Sequence, residues 1–312
     1  MLKVFAHATA LVALVLPLRV QDPAQGPPAD QDVRFRAGTD TVVLHVSVRD
    51  RRGRDVDNLP QSAFTILEDG SPQPITTFTN DDVPVTVGLV VDASVSMLPI
   101  RDQVVGAATA FAKASHPQDD MFALAFNERV RASLPEEAPF TADPEVLRLA
   151  LASSIAARGR TALFDAVNVG LDYVSRGRYE RRMLVVISDG GDNASRTPLD
   201  RVMARIQASN AVIFTIALKD PYGPAGDAKV MRALAEASGG QAFSPRNMDE
   251  VSDALGVIAH ELRHSYTVGY SAPRPEQRGY RRVRVDVAAQ NGQKLVVRTR
   301  AGYRIEDSER TE

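Results

Sequence analysis

The chain contains no cysteine and no tryptophan. Without a thiol, cysteine catalysis, iron–sulfur clusters, cysteine-ligated zinc, disulfide frameworks and diacylglyceryl anchoring are all excluded. Aromatic residues make up only 6%, which leaves little for base stacking or a membrane-interface belt. An excess of one charge is missing too: 37 Lys and Arg face 39 Asp and Glu, a formal net charge of −2. A nucleic-acid-binding protein would show a clear basic excess, so no nucleic-acid partner is expected. Lysine is scarce, five of the 37 cations, an arginine-rich usage that reads as coding bias rather than as a binding signature. What is present is ordinary. The 312 residues are 44% apolar and 24% charged, with 20 Gly and 19 Pro. Such a chain can bury a sizeable core and is expected to form about two domains.

Residues 1–20 read MLKVFAHATALVALVLPLRV, a single Lys3 followed by an apolar run from Val4 to Leu18. That length suits the core of a signal peptide and is short for a membrane span. Small residues are missing around Leu18, Arg19 and Val20, so the segment reads either as a signal peptide or as an uncleaved signal anchor. Residues 21–32 are polar and Pro-rich, a linker. No later run is apolar for long enough to span a bilayer, so the bulk of the protein is expected outside the cytoplasmic membrane, periplasmic or secreted.

Three textures follow. Over 33–82 the pattern is β: Val42, Leu44, Val46 and Val48 alternate with Val43, His45, Ser47 and Arg49. Over 83–264 short apolar runs such as Val85–Val91, Met121–Phe126, Arg182–Ile187 and Val212–Leu218 alternate with helical periods. That alternation predicts a largely parallel sheet covered on both faces, with ligands beyond the carboxyl ends of its strands. Over 265–306 the pattern is β again, and 307–312 is a tail. Three or four strands are too few to stand alone. The two β segments are therefore expected to combine into one small antiparallel β domain into which the doubly wound α/β unit is inserted.

The chemistry gathers at predicted strand ends. The first buried strand runs into Asp92, Ala93, Ser94, Val95 and Ser96, which aims three oxygen-bearing side chains into the ligand crevice. Thr161 precedes a helix and adds a third hydroxyl; Asp189 ends the next buried strand and adds a second carboxylate. Hydroxyls and carboxylates without His or Cys suit Mg²⁺, Mn²⁺ or Ca²⁺ rather than zinc. The plainer alternative is that Asp92 and Asp189 only cap helices. Asp192 is either a supporting residue or a solubilising one.

This constellation resembles the metal-ion-dependent adhesion site of von Willebrand factor type A domains, whose pattern is D-x-S-x-S, a later Thr, and an Asp after the fourth strand. Asp92, Ser94, Ser96, Thr161 and Asp189 match all five positions in order. The resemblance implies a divalent cation, Mg²⁺ first, touched by the Ser and Thr hydroxyls while the Asp residues act through water. It also implies a sixth position left for an Asp or Glu carboxylate of a protein partner. The flanking segments extend it: Glu68, Asp69 and Gly70 before the α/β unit, then Tyr266–Tyr270 and Ala301–Arg304 after it, look like the exported "VWFA-related" proteins of some bacteria. The implied role is metal-dependent, non-catalytic adhesion, with membrane contact only through the N-terminal segment.

A competing motif lies at His260, Glu261, Leu262, Arg263 and His264, which fits H-E-x-x-H. On a helix both imidazoles would share a face with Glu261 beside them as base, the arrangement of a zinc metallopeptidase. Against it stand the charged Arg263 inside the motif, the missing third His, and an immediate turn into a strand that leaves only Glu276 as a further acidic ligand. A solvated helix end rich in His is the alternative. Arg176, Arg178, Arg181 and Arg182 read as a solvated loop.

Overall fold

The computed structural model describes residues 41–155, 159–189, 191–218, 228–289 and 294–305. The signal segment, the linker, residues 33–40 and the tail read from the sequence lie outside the described residues. Strands β1 (Thr41–Arg49), β2 (Phe64–Glu68), β3 (Ser71–Gln73) and β4 (Thr77–Thr79) come first. The alternating region follows as β5 (Thr86–Asp92), α1 (Arg101–Ala114), β6 (Asp120–Phe126), β7 (Val130–Ala132), α2 (Pro144–Ser154) and α3 (Leu163–Ser175). It continues with β8 (Arg182–Ser188), α4 (Leu199–Ala208), β9 (Val212–Ala217), α5 (Ala228–Ser238), β10 (Ala242–Phe243) and α6 (Met248–His264). The chain closes with β11 (Tyr266–Ser271), β12 (Gly279–Val287), β13 (Val296–Arg298) and β14 (Gly302–Ile305). Among the described residues no helix is long and apolar enough to cross a membrane.

The α/β region forms a six-stranded sheet in the order β10-β9-β8-β5-β6-β7, parallel except for the edge strand β7. Every residue of β5 and β9 is buried, as strands covered on both faces must be. Val87, Leu89 and Val91 of β5 face one core with Val104, Ala108 and Phe111 of α1 and Leu255, Ile258 and Leu262 of α6. Val90 faces the other core with residues of α3, α4 and α5 such as Ala166, Val202 and Leu234. Helix starts follow from local chemistry: Asp143 precedes Pro144 and accepts from the amides of Glu145 and Val146, and Asn247 accepts from the amide of Glu250.

The flanking strands build two four-stranded sheets, β13-β1-β11-β4 and β14-β12-β2-β3. Each sheet takes two strands from before the α/β unit and two from after it, so the unit is inserted between the halves of a joint β domain. One core unites them: Leu44, Val46, Ile66, Tyr266, Val268, Val285 and Tyr303 are all buried together. Glu68, buried, accepts hydrogen bonds from the hydroxyls of Tyr270 at 2.6 Å and Tyr303 at 2.9 Å, which satisfies a carboxylate that would otherwise be stranded there. Strand β3 is a pairing the sequence pattern does not announce. It is a three-residue edge strand containing Pro72, with no apolar alternation, and it follows a tight turn with positive φ at both Asp69 and Gly70.

Arg181 corrects the reading of its neighbourhood as a solvated loop. Arg176 and Arg178 are exposed, but Arg181 is buried at the amino end of β8. Its guanidinium donates to the carbonyls of Leu262 and Ser265 and to the Thr267 hydroxyl, so it ties the end of α6 and the start of β11 to the parallel sheet.

Candidate metal centre

The order of the parallel strands decides where the site sits. β6 lies on one side of β5 and β8 on the other, so the connections leaving β5 and β8 diverge and open a crevice at their carboxyl ends. Ile187 pairs with Val91, which sets Ser188 beside Asp92 at the mouth of that crevice. Asp92 is fully buried. One carboxylate oxygen, Oδ1, accepts from the Ser94 amide at 2.8 Å. The other, Oδ2, accepts from the Ser188 hydroxyl at 2.6 Å. Burial pushes the Asp92 carboxyl up to about 6, and the nearby charge of Asp189 adds to that rise while the bonds from Ser188 and Ser94 oppose it.

After Asp92 the chain enters a 3₁₀ turn over Val95–Ile100 before α1 begins, where the sequence pattern suggests helix only from Ile100. The turn folds Ser94 and Ser96 onto each other, with their hydroxyl oxygens 3.0 Å apart. Two oxygens that share an octahedral Mg²⁺ with bonds of 2.0–2.1 Å stand about 3 Å apart. Ser94 is buried and Ser96 is partly open.

Thr161 is buried on the loop that leads into α3. Backbone bonds stitch this loop to its neighbours: Val95 N donates to Gly159 O at 3.4 Å, and Ala162 N to Asn127 O at 2.8 Å. Gly159 has φ +83°, and a Cβ there would fall 1.7 Å from Glu128 Oε2. Glu128 accepts from the amide of Arg160, and the positive φ favours glycine at this turn. The loop after β8 is pinned as firmly. The Asn193 side chain accepts from Thr161 N at 2.9 Å, and Asn193 N and Ala194 N donate to Thr161 O. Asp192 accepts from Phe164 N at the start of α3, while Asp165 accepts from the amides of Arg196 and Thr197. Asp192 is thus a supporting residue that caps α3.

Asp92, Ser94 and Ser96 are therefore joined by direct bonds, Asp189 directly follows the Ser188 that bonds Asp92, and the Thr161 loop is laced to both neighbouring loops. Ser188 and Asn193 escape the sequence reading. A Ser one residue before a strand-end Asp carries no signal until strand register places it against Asp92. Among the described residues no group of three or more His, Cys, Asp or Glu comes together to hold a metal. The donor set here has two carboxylates and three hydroxyls, so it fits an oxygen-seeking divalent cation and offers zinc none of its preferred nitrogen or sulfur.

The H-E-x-x-H helix does not form a peptidase centre. Glu261 is buried and its carboxylate is held by Arg49, at 3.3 Å, and by Arg298. A carboxylate committed to two guanidinium groups is not free to activate a water. Arg263 likewise turns away to Asp82 and Asp119.

The α/β unit has the fold of the von Willebrand factor type A domain. Von Willebrand factor type A from Catenulispora acidiphila matches 87% of this chain and 74% of its own, with a TM-score of 0.51 and 11% identity. Proximal thread matrix protein 1 from the mussel byssus matches 62% of this chain at a TM-score of 0.51 and 14% identity, and this chain spans 50% of it. A further structure of the mussel protein, described as having a zinc-occupied MIDAS motif, gives a TM-score of 0.51 with 13% identity over the same shares of 62% and 50%. No protein-family description matches the sequence, and no curated protein does.

Proposed function

We propose that this chain captures a protein partner through a divalent cation held by Asp92, Ser94, Ser96, Thr161 and Asp189, and that it performs no catalysis. The observation that carries the reading is the pairing of a fully buried Asp92 with the Ser94 and Ser96 hydroxyls, 3.0 Å apart, at the crevice between β5 and β8. A buried carboxylate beside a second one is unfavourable unless a cation joins them. The ion supplies a fixed positive charge at the crevice mouth, which draws an Asp or Glu of the partner. The chain's own residues do the rest. Asp92 and Asp189 provide the compensating charge, the hydroxyls set size and geometry, and Ser188 holds Asp92 in place. Mg²⁺ is the favoured ion, with Mn²⁺ or Ca²⁺ as alternatives, since all three prefer oxygen. The occurrence of a zinc-occupied site in the mussel protein of the same fold supports divalent occupancy in general. The setting is export from the cytoplasm, as a periplasmic or secreted protein or one tethered through residues 1–20.

The test is thermal unfolding with Mg²⁺ or Mn²⁺ and with EDTA, alongside capture from the exported proteome under the same conditions. Both ions are expected to raise Tm, EDTA to reverse the rise, and Asp92→Ala to abolish both the rise and the capture. A wild-type chain with no divalent-ion shift that captures its partner equally well in EDTA would overturn the mechanism.

A further inference from the structure

The mouth of the crevice is not uniform. On the loops after β6 and β8 and on the Thr161 loop, exposed side chains are charged: Glu128, Arg129, Arg160 and Arg196. The turn after β5 is different, since Val95–Ile100 reads Val-Ser-Met-Leu-Pro-Ile and carries no charge. Val95 is 62% exposed and Leu98 61%, the two highest values among the large apolar side chains that stand exposed on the described residues. A single exposed apolar side chain is ordinary. These two are paired by the geometry of the turn. A 3₁₀-helix has three residues per turn, so side chains at i and i+3 eclipse, and Val95 and Leu98 share one face with a rise of about 6 Å between them. The ridge is also held still. Met97 is buried in the core with residues of β5 and α1, Pro99 locks its own φ, and Val95 N bonds Gly159 O of the Thr161 loop. Ser96, the partly open hydroxyl of the candidate metal centre, lies between the two in sequence.

We propose that Val95 and Leu98 form an apolar subsite beside the cation, and that the partner segment carries a large apolar side chain, Leu, Ile, Met or Phe, within two residues of the Asp or Glu that reaches the ion. The inference rests on the cation-capture reading above, because a partner that brings a carboxylate to the crevice mouth must pass over the turn that supplies Ser96. A carboxylate alone discriminates poorly, since Asp and Glu are common on protein surfaces. Burial of apolar area on both partners supplies the discrimination and adds affinity with the area covered. The spacing agrees. Along an extended segment residues i and i+2 project to the same side about 7 Å apart, so an acid on the ion sets a side chain two residues away over a ridge that begins next to Ser96. The charged flank offers a second carboxylate little: Glu128 lies among the arginines, and Arg160 donates to the carbonyl of Asn193.

Display of short random peptides, selected on the full chain in Mg²⁺, tests this. Enriched peptides are expected to carry an Asp or Glu with a large apolar residue within two positions. Leu98→Ser should weaken binding of a synthetic enriched peptide by about tenfold, and Val95→Ser combined with it by more, while the rise in Tm given by Mg²⁺ stays as in the wild-type chain. Val146→Ser should leave peptide binding unchanged. Val146 is exposed too, but it follows Glu145, which pairs with Lys113 in the last turn of α1, at the other end of the sheet. Enriched acids without an apolar neighbour, equal binding by Leu98→Ser and wild type, or no enrichment on a chain whose Tm Mg²⁺ raises would overturn the proposal and leave the cation site standing. Apolar peptides that bind equally well in EDTA and to Asp92→Asn would overturn cation capture itself.

Discussion

The two ends of the parallel sheet are both rich in polar groups, yet they are built on opposite rules. At the amino ends, charged groups meet opposite charges or, for Arg181, backbone carbonyls. Arg181 meets two carbonyls and a hydroxyl, Arg263 meets Asp82 and Asp119, and Glu261 meets Arg49 and Arg298. Buried Asp119 also accepts from the amides of Val85 and His116. At the carboxyl ends, like charges come near each other. Asp92 and Asp189 repel, and the hydrogen bonds that reach Asp92 come from neutral donors, Ser94 and Ser188. Buried charge met by opposite charge or by carbonyls holds a fold together, whereas two neighbouring carboxylates favour a cation between them, which is what the proposed function requires. The distinction separates the mortar of the joint between the two domains from the candidate metal centre, although both contain buried ionisable side chains.

The contrast is broken most directly by removing one charge from each end. Arg181→Met strands the carbonyls of Leu262 and Ser265 and the Thr267 hydroxyl, and should lower stability by about 3 kcal/mol or more. Asp92→Asn keeps the shape and removes a desolvated charge, so the metal-free chain should stay within about 1 kcal/mol of wild type. Urea midpoints in EDTA measure both. Equal losses would erase the distinction between the ends.

Adding the cation sharpens it. At a hundredfold excess over its dissociation constant, Mg²⁺ should stabilise the wild-type chain by about 2.7 kcal/mol, because it binds only the folded site. The Asp92→Asn chain should show none of this, while Arg181→Met should keep the full increment from its lower baseline. Urea unfolding with and without Mg²⁺ reads the difference.

Much of this arrangement was legible in the residues. The strand–helix alternation, the insertion of one unit into another, and the places of Asp92 at a strand end and of Ser94, Ser96, Thr161 and Asp189 beyond strand ends or before a helix follow from periodicity and spacing, because local pattern determines local structure. Ser188, Asn193 and Arg181 were not legible. Ser188 matters only because strand register sets it beside Asp92, and Asn193 only because its loop folds back on Thr161. Arg181 sits in an Arg-rich stretch that looks solvated until the end of α6 closes over it. Residues that act across long sequence separations leave no spacing to read. The H-E-x-x-H motif shows the reverse: a pattern was present, but the partners of Glu261 lie on β1 and β13 and take it out of service.

A smaller effect probes the amino end through pH. His45 on β1 has both ring nitrogens cut off from solvent with no hydrogen-bond partner. Burial first, then the nearby charges of Arg181 and Arg300, hold its imidazole down at about 3. The folded chain therefore keeps His45 neutral, whereas the unfolded chain protonates it below its ordinary value of 6.5. Stability is present above that value and is lost as the pH falls below it, by about 2 kcal/mol between pH 7 and pH 5. In His45→Leu that part of the acid dependence should vanish, which urea midpoints at the two pH values would show. An unchanged slope would mean that His45 already finds a partner in the folded chain.

The smallest expected effect separates ligand from support at the carboxyl end. Ser94→Ala removes a neutral hydroxyl that pairs with Ser96 at 3.0 Å and leaves the Ser94 amide on Asp92 intact. Ser188→Ala removes the donor to Asp92 Oδ2 and no proposed ligand. Each deletes at least one hydrogen bond worth about 1 kcal/mol, so in EDTA both should be destabilised. With Mg²⁺ they should part. Ser94→Ala loses an ion contact and should need about tenfold more Mg²⁺ for the same shift, a difference of about 1.4 kcal/mol. Ser188→Ala keeps every ligand and frees a lone pair on Asp92, so its Mg²⁺ midpoint should move less. If Ser188→Ala moves the Mg²⁺ midpoint as far as Ser94→Ala does, the Ser94 hydroxyl holds the loop in shape and does not touch the ion.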